Sequence, residues 1–208
     1  MPKTIEYYYA LASPWAYLGH IAFMAIVKRH GVRVDDLLID YETAFHAAGT
    51  LMLPQRPALR KKYRLLELKR WSAHRGVPLV PQPRHYRGEA EEPDESQAVG
   101  MCLALKREGG DSMRLAYAVS RALWAEERDA FRPEILREIA TDEGLNATAL
   151  LDAADTPEIR LHWRANTDLA VRNGVFGMPT YRLVDDPSGE FFFWGQDRLE
   201  LLDRVLSV

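Results

Sequence analysis

The chain has 208 residues, 47% of them hydrophobic and 27% charged, with a formal net charge of −3. That suits one large domain or a domain carrying an insertion, and it excludes a broad electrostatic grip on nucleic acid. A single cysteine, Cys102, excludes an internal disulfide and a thiol-based metal site, and no apolar run nears the ~20 residues of a membrane-spanning helix.

Thr4–Ala10 has the aromatic, β-favouring composition of a strand. It is too short and too rich in tyrosine for a signal peptide, so the chain reads as cytosolic. Ser13-Pro14 then marks a helix start, with serine as N-cap and proline where a missing N–H costs nothing. Leu18, Ile21, Ala22 and Ala25 follow at the spacing of one buried face. Lys28, Arg29 and His30 suit the negative end of the helix dipole, and Gly31 closes it. A second strand is expected from Arg33 to Tyr41, which makes a parallel pair with a right-handed crossover.

From Pro57 to about Gly174 the pattern is a succession of helices, broken at Val77-Pro78 to Arg87-Gly88, Gly109-Gly110, Arg132-Pro133, Gly144 and Thr156-Pro157. The acidic run Glu89 to Glu95 reads as a solvated loop and helix start. Cys102, within an apolar run, reads as core. The six histidines show no metal-ligand spacing. Thr180–Val184 and Glu190–Phe193 then flank Asp185-Asp186-Pro187-Ser188-Gly189 as a hairpin, and Asp197 is expected to cap a last helix with the face Leu199, Leu202 and Leu206.

The total is an α/β chain: a thioredoxin-like βαβ…ββα core, residues 1–50 and 175–208, with a large all-helical insertion over 51–174. In such a fold the start of the first helix meets the loop before the third strand, so Ser13-Pro14-Trp15-Ala16 faces Gly177-Met178-Pro179-Thr180. Thiol oxidoreductases of this fold open that helix with Cys-x-x-Cys. Both sulfurs are absent here, which rules out disulfide exchange by the protein itself. The helix start still carries roughly half a positive charge and unpaired N–H groups, a setting that stabilises a thiolate brought by a ligand. Ser13 either caps its helix or also donates its hydroxyl proton to that thiolate; the two roles can coexist. Met178-Pro179 is expected in the cis form, offering the backbone of Met178 to a thiol tripeptide as an added strand would.

Five segments in order carry a resemblance: Ser13-Pro14-Trp15-Ala16-Tyr17-Leu18, Lys62-Tyr63 with Leu68-x-Arg70-Trp71, Gly76-Val77-Pro78-Leu79, Gly174 to Thr180, and Trp194-Gly195-Gln196-Asp197-Arg198-Leu199. Together the chain resembles the 2-hydroxychromene-2-carboxylate isomerase family, relatives of the kappa-class glutathione transferases within the DsbA-like group. The resemblance implies glutathione as cofactor, Ser13 facing its sulfur, and Met178, before Pro179, binding its cysteinyl part. It implies Gln196 and Asp197 receiving the γ-glutamyl group, with Lys62 and Tyr63 lining the site. Read without it, Lys62 is a solvated lysine, Tyr63 a half-buried tyrosine, and Asp197 a plain helix cap. Trp15, Thr50 and Trp194 are expected to border a pocket for a small aromatic-derived substrate, and a homodimer is implied. The activity implied is a cis/trans isomerisation. Its rivals are a kappa-like transferase and a non-catalytic ligand carrier.

Overall fold

A computed structural model describes residues 3–86, 94–184 and 191–207. Strand β1 (Thr4–Tyr9) is buried at every position, as the central strand of a covered sheet must be. Helix α1 (Pro14–His30) starts at Ser13 and stops at Gly31, whose φ of 61° is the left-handed turn that glycine adopts without strain. Strand β2 (Arg33–Leu38) pairs with β1 in parallel, with Thr4 opposite Arg33 and Tyr9 opposite Leu38.

The second strand therefore ends three residues before Tyr41. Asp40 accepts hydrogen bonds from the backbone of Glu42 and Thr43, and so starts a helix, α2 (Tyr41–Ala47), where strand was expected. The helical region follows: α3 (Ala58–Arg75), α4 (Ser96–Arg107), α5 (Ser112–Trp124), α6 (Pro133–Asp142), α7 (Ala147–Ala154) and α8 (Pro157–Arg172). Asp111 and Asn146 cap α5 and α7 through their side chains, while Pro133 and Pro157 open α6 and α8. The chain then returns to the sheet as β3 (Thr180–Leu183) and β4 (Phe192–Trp194), and ends in α9 (Leu199–Leu206).

The strand order is β2-β1-β3-β4, with β3 antiparallel to both neighbours. This is the thioredoxin-like arrangement. The turn of the expected hairpin, Asp185 to Gly189, lies outside the described residues, but the antiparallel pairing of its strands is present.

The period of two along β1 divides the core. Tyr7 and Tyr9 stack at 4.3 Å and face Phe23 and Tyr181 on one side, while Tyr8 and Ala10 join Leu37, Ile39, Ala44 and Val175 on the other. The first of these clusters continues without a break into α4, α5, α6 and α7, so the helical region and the sheet share one interior.

Within α1 the buried stripe is not the expected one. Leu18 is buried, but Ile21 is 53% exposed and Ala25 is also exposed; Ala16, Gly19, Phe23 and Ile26 face inward. Gly19 explains the rotation, because a Cβ there would stand 2.6 Å from the Cβ of Gln196. No described helix is long and apolar enough to cross a membrane.

Candidate active site

Ser13 sits in extended backbone (φ −79°, ψ 112°) at the head of α1, and its Oγ accepts a hydrogen bond from Ala16 N at 3.3 Å. Its hydroxyl proton is not used in that bond. The loop that delivers it is pinned from the helical region: Ala12 N donates to Glu95 Oε2 at 2.8 Å, and Glu95 is buried. The acidic run thus does not end in solvent; its last member is an anchor for the helix start.

The Met178–Pro179 peptide is cis. Two contacts hold the turn, Thr180 Oγ1 donating to Gly177 O and Gly195 N donating to Pro179 O, each at 2.8 Å. Trp194 lies so close across Gly177 that any Cβ there would collide with its indole. On the other side of the mouth Thr50 Oγ1 donates to Phe176 O at 2.9 Å.

Between these segments runs one cleft with two lobes. The inner lobe, ≈ 130 Å³, is bordered by Ser13, Tyr41, Phe45, Thr50, Phe176 and Gly177. The outer lobe, ≈ 570 Å³, is bordered by Leu59, Arg60, Tyr63, Glu67, Trp71 and the turn Gly195–Arg198. Trp15, Arg56, Arg64, Met178 and Trp194 border both lobes and so join them.

Of the residues singled out from sequence, Ser13, Trp15, Thr50, Tyr63, Met178, Trp194, Gln196 and Asp197 come together around this cleft. Pro179 is buried behind Met178 and fixes its backbone. Lys62 is not brought in. It lies on a neighbouring face of α3, exposed beside Leu59, Leu65, Leu66 and Lys69. Gln196 borders the outer lobe yet is only 1% exposed, with its Oε1 accepting from Arg75 Nε at 2.9 Å. Asp197 does not cap α9. It stands inside a short 3₁₀ turn, Gln196–Arg198, that begins at Gly195 with φ 102°, and no side chain caps the helix that follows. This leaves its carboxylate bordering the cleft, 3.3 Å from Arg198 Nε.

Charge in the cleft is mainly positive, from Arg56 just before α3, Arg60 and Arg64 one and two turns along it, and Arg198 opposite. The Arg64 guanidinium lies over Tyr86 at 5.8 Å and Trp124 at 5.9 Å. Glu67 is the carboxylate of that wall. Its hydrogen bond to Arg70, 2.6 Å long, holds it below the usual range, aided by Tyr63 and Trp71. Arg60 and Arg64 were not singled out from the sequence; their four-residue spacing is the signal, since it aligns side chains on one helical face.

Cys102 is wholly buried among α4 neighbours, and burial pushes its thiol far above the ordinary value. It takes no part in the cleft. Among the described residues no group of three or more His, Cys, Asp or Glu side chains is placed to hold a metal. The arrangement can therefore bind an anion at a helix start, pair a peptide along the cis turn, and hold a planar group between indole and phenyl rings.

A model of the DsbA-like thioredoxin domain matches residues 4–207. The chain is 31% identical over 208 residues to the 2-hydroxychromene-2-carboxylate isomerase of Sphingobium xenophagum, spanning 99% of both proteins. It is 25% identical to glutathione S-transferase kappa 1 of Homo sapiens, over 100% of this chain and 92% of that protein. Among solved structures, a selenomethionine form of 2-hydroxychromene-2-carboxylate isomerase superposes with a TM-score of 0.78 at 21% identity, over 98% of this chain and 94% of the other. The cytosolic disulfide reductase DsbM of Pseudomonas aeruginosa, solved with GSH, gives 0.66 at 21% identity, over 99% and 100%.

Proposed function

Because the chain belongs to the DsbA-like thioredoxin family, and within it to the family of the 2-hydroxychromene-2-carboxylate isomerases, we propose that it is a glutathione-dependent cis/trans isomerase of an aromatic-derived carboxylate. One observation carries the reading. A helix start and a cis-proline turn meet at the floor of an open cleft, and no thiol of the chain reaches it.

The cleft fits a thiol tripeptide. The mouth at Ser13 accepts its sulfur, the backbone of Met178 its cysteinyl part, and Asp197 the ammonium of its γ-glutamyl group. When bound, glutathione supplies a thiolate that adds to an electrophilic carbon, so that a substrate double bond becomes single, rotates, and re-forms as the carbon–sulfur bond breaks. Ser13 donates its hydroxyl proton to the sulfur while keeping its own oxygen on Ala16 N, which fixes the direction of that donation. The start of α1 adds the partial positive charge of its free N–H groups. Trp15, Trp194 and Phe176 wall the ring of the substrate, and Arg56, Arg60 and Arg64 match its carboxylate.

The test is calorimetric titration of glutathione into the wild type and Ser13→Ala, with thiolate absorbance followed in each. Binding to both, with the absorbance lost only in the variant, is expected. The loss of the cap also lowers stability by about 1 kcal/mol. No binding to the wild type sinks the proposal, and unchanged absorbance in Ser13→Ala reduces the serine to a cap.

The kappa-type relative favours a second reading, in which glutathione stays attached to the electrophile. Product analysis separates the two, because an isomerase returns glutathione unconsumed. The isomerase reading also includes a homodimer, supported by an apolar band on α3 where Leu59 is 81% exposed beside Tyr63 and Leu66. A monomeric sedimentation mass at micromolar concentration counts against it.

A further inference from the structure

Arg75 ends α3, the helix that forms one wall of the cleft, and its guanidinium crosses to the opposite wall. Nε donates to Gln196 Oε1 at 2.9 Å and one terminal nitrogen to Gln196 O at 2.8 Å. The other terminal nitrogen meets Glu200 Oε1 at 3.0 Å. The guanidinium also lies 5.2 Å from the ring centre of Trp71, one turn earlier on the same helix and itself part of the outer lobe. Only 11% of the Arg75 side chain is exposed, against 60% of Glu200.

We propose that Arg75 is a positioning residue for ligand binding: it locks the Gln196–Asp197 turn and the Trp71 wall into one rigid corner of the cleft. The inference rests on the reading of that cleft as a glutathione site. Its physical basis is the chemistry of the fork. A guanidinium only donates, so it selects which end of the Gln196 carboxamide faces it and simultaneously holds that residue's backbone carbonyl. The carboxamide nitrogen, turned away, is buried with no hydrogen-bond partner among the described residues. Gln196 is thus held through side chain and backbone, with its Cβ close over Gly19, and Asp197 next to it borders the outer lobe. Lysine is a poor substitute, because one ammonium nitrogen lacks the fork that spans both Gln196 oxygens while the charge stays over the Trp71 ring.

The test compares Arg75→Lys, Arg75→Met and Glu200→Gln in the full chain by two measurements. One is the dissociation constant for glutathione with thiolate absorbance at saturation. The other is ligand-free hydrogen–deuterium exchange of the segment 195–201, with β1 as reference. Both Arg75 variants are expected to weaken glutathione roughly ten-fold, the value of about one charged hydrogen bond. Thiolate absorbance at saturation and β1 protection stay as in the wild type, while 195–201 exchanges faster. Glu200→Gln is expected to change binding less than about two-fold, since its partner bond is exposed.

A dissociation constant within about two-fold of wild type in Arg75→Lys overturns the inference. So does a loss of β1 protection matching that of 195–201, which would make Arg75 a plain stabiliser. If the wild type does not bind glutathione, the reading of the site falls by itself. Exchange then decides alone: faster exchange confined to 195–201 upholds Arg75 as the lock of that corner, and unchanged exchange overturns it.

Discussion

The two walls of the cleft are built by different means. The thioredoxin-like wall is held by local backbone devices, each acting over a few residues: the Ser13 cap, the cis bond before Pro179, and Gly195 at φ 102°. The helical wall is built mainly otherwise. Its residues Arg60, Tyr63, Arg64 and Trp71 stand on a regular helix whose place is set at its ends, by Arg75 reaching the 195–200 turn and by packing on α1. One wall presents polar groups in fixed directions, which suits a cofactor. The other presents long side chains on a repeating face, which suits a variable substrate.

If the helical region depends on close element packing, one methyl group in it should be costly. Gly100 of α4 lies directly on the backbone of Ala154 at the end of α7, and a Cβ there would collide with the carbonyl oxygen. Backbone cannot swing aside as a side chain can. Gly100→Ala is expected to destabilise by about 3 kcal/mol or more, measured by urea unfolding. A cost below about 1 kcal/mol would show that α4 and α7 slide freely and that the helical wall is soft.

The seam between the two regions titrates. His20 of α1 stacks on Tyr117 of α5 at 4.6 Å, and burial lowers its pKa from the ordinary 6.5 to about 4, with Asp111 opposing. The unfolded chain therefore binds a proton between pH 6.5 and about 4 that the folded chain refuses. Stability from this site is whole above pH 6.5 and is lost as the pH falls through that window, by an amount on the order of 2–3 kcal/mol. His20→Phe keeps the stack and should flatten the slope of unfolding free energy with pH over the same range. An equal slope in the variant would move the titration to another group.

The same contrast explains what could be read from the chain. Ser13-Pro14 and Gly31 act over one to four residues, so their residue types disclose cap and turn directly, whereas the cis form of Met178-Pro179 follows only once the thioredoxin-like order of elements is seen. Features set from a distance stayed hidden. The bond from Ala12 to Glu95 spans 83 residues, and that from Arg75 to Gln196 spans 121. Neither leaves a local pattern, so the acidic run reads as solvated and nothing nearby in the chain marks Arg75. The face of α1 was misjudged because a glycine rather than a large apolar residue marks its closest approach. Asp197 has the composition of a cap, but the turn begins two residues earlier at Gly195, where only a positive φ fits.

The smallest expected effect on stability bears most directly on the site. Gly177, like Gly100, has no room for a Cβ, but here the obstacle is the indole of Trp194, a side chain 51% exposed at the cleft mouth. In Gly177→Ala the ring can rotate outward into solvent, so the cost should stay under about 1 kcal/mol. Rotation removes Trp194 from its edge-on contact with Phe176 at 5.0 Å and so opens the aromatic wall shared by both lobes. A planar aryl carboxylate probe such as salicylate should then bind about three-fold more weakly by calorimetry, the loss of a fraction of one aromatic contact. Thiolate absorbance of bound glutathione should not change, because the substitution leaves Ser13, its bond to Ala16 N and the start of α1 as they are. Destabilisation as large as that of Gly100→Ala would mean that Trp194 is locked and that both walls obey the same packing rule. Full probe binding with a displaced indole would take Trp194 out of the substrate wall, leaving Trp15 and Phe176 to form it.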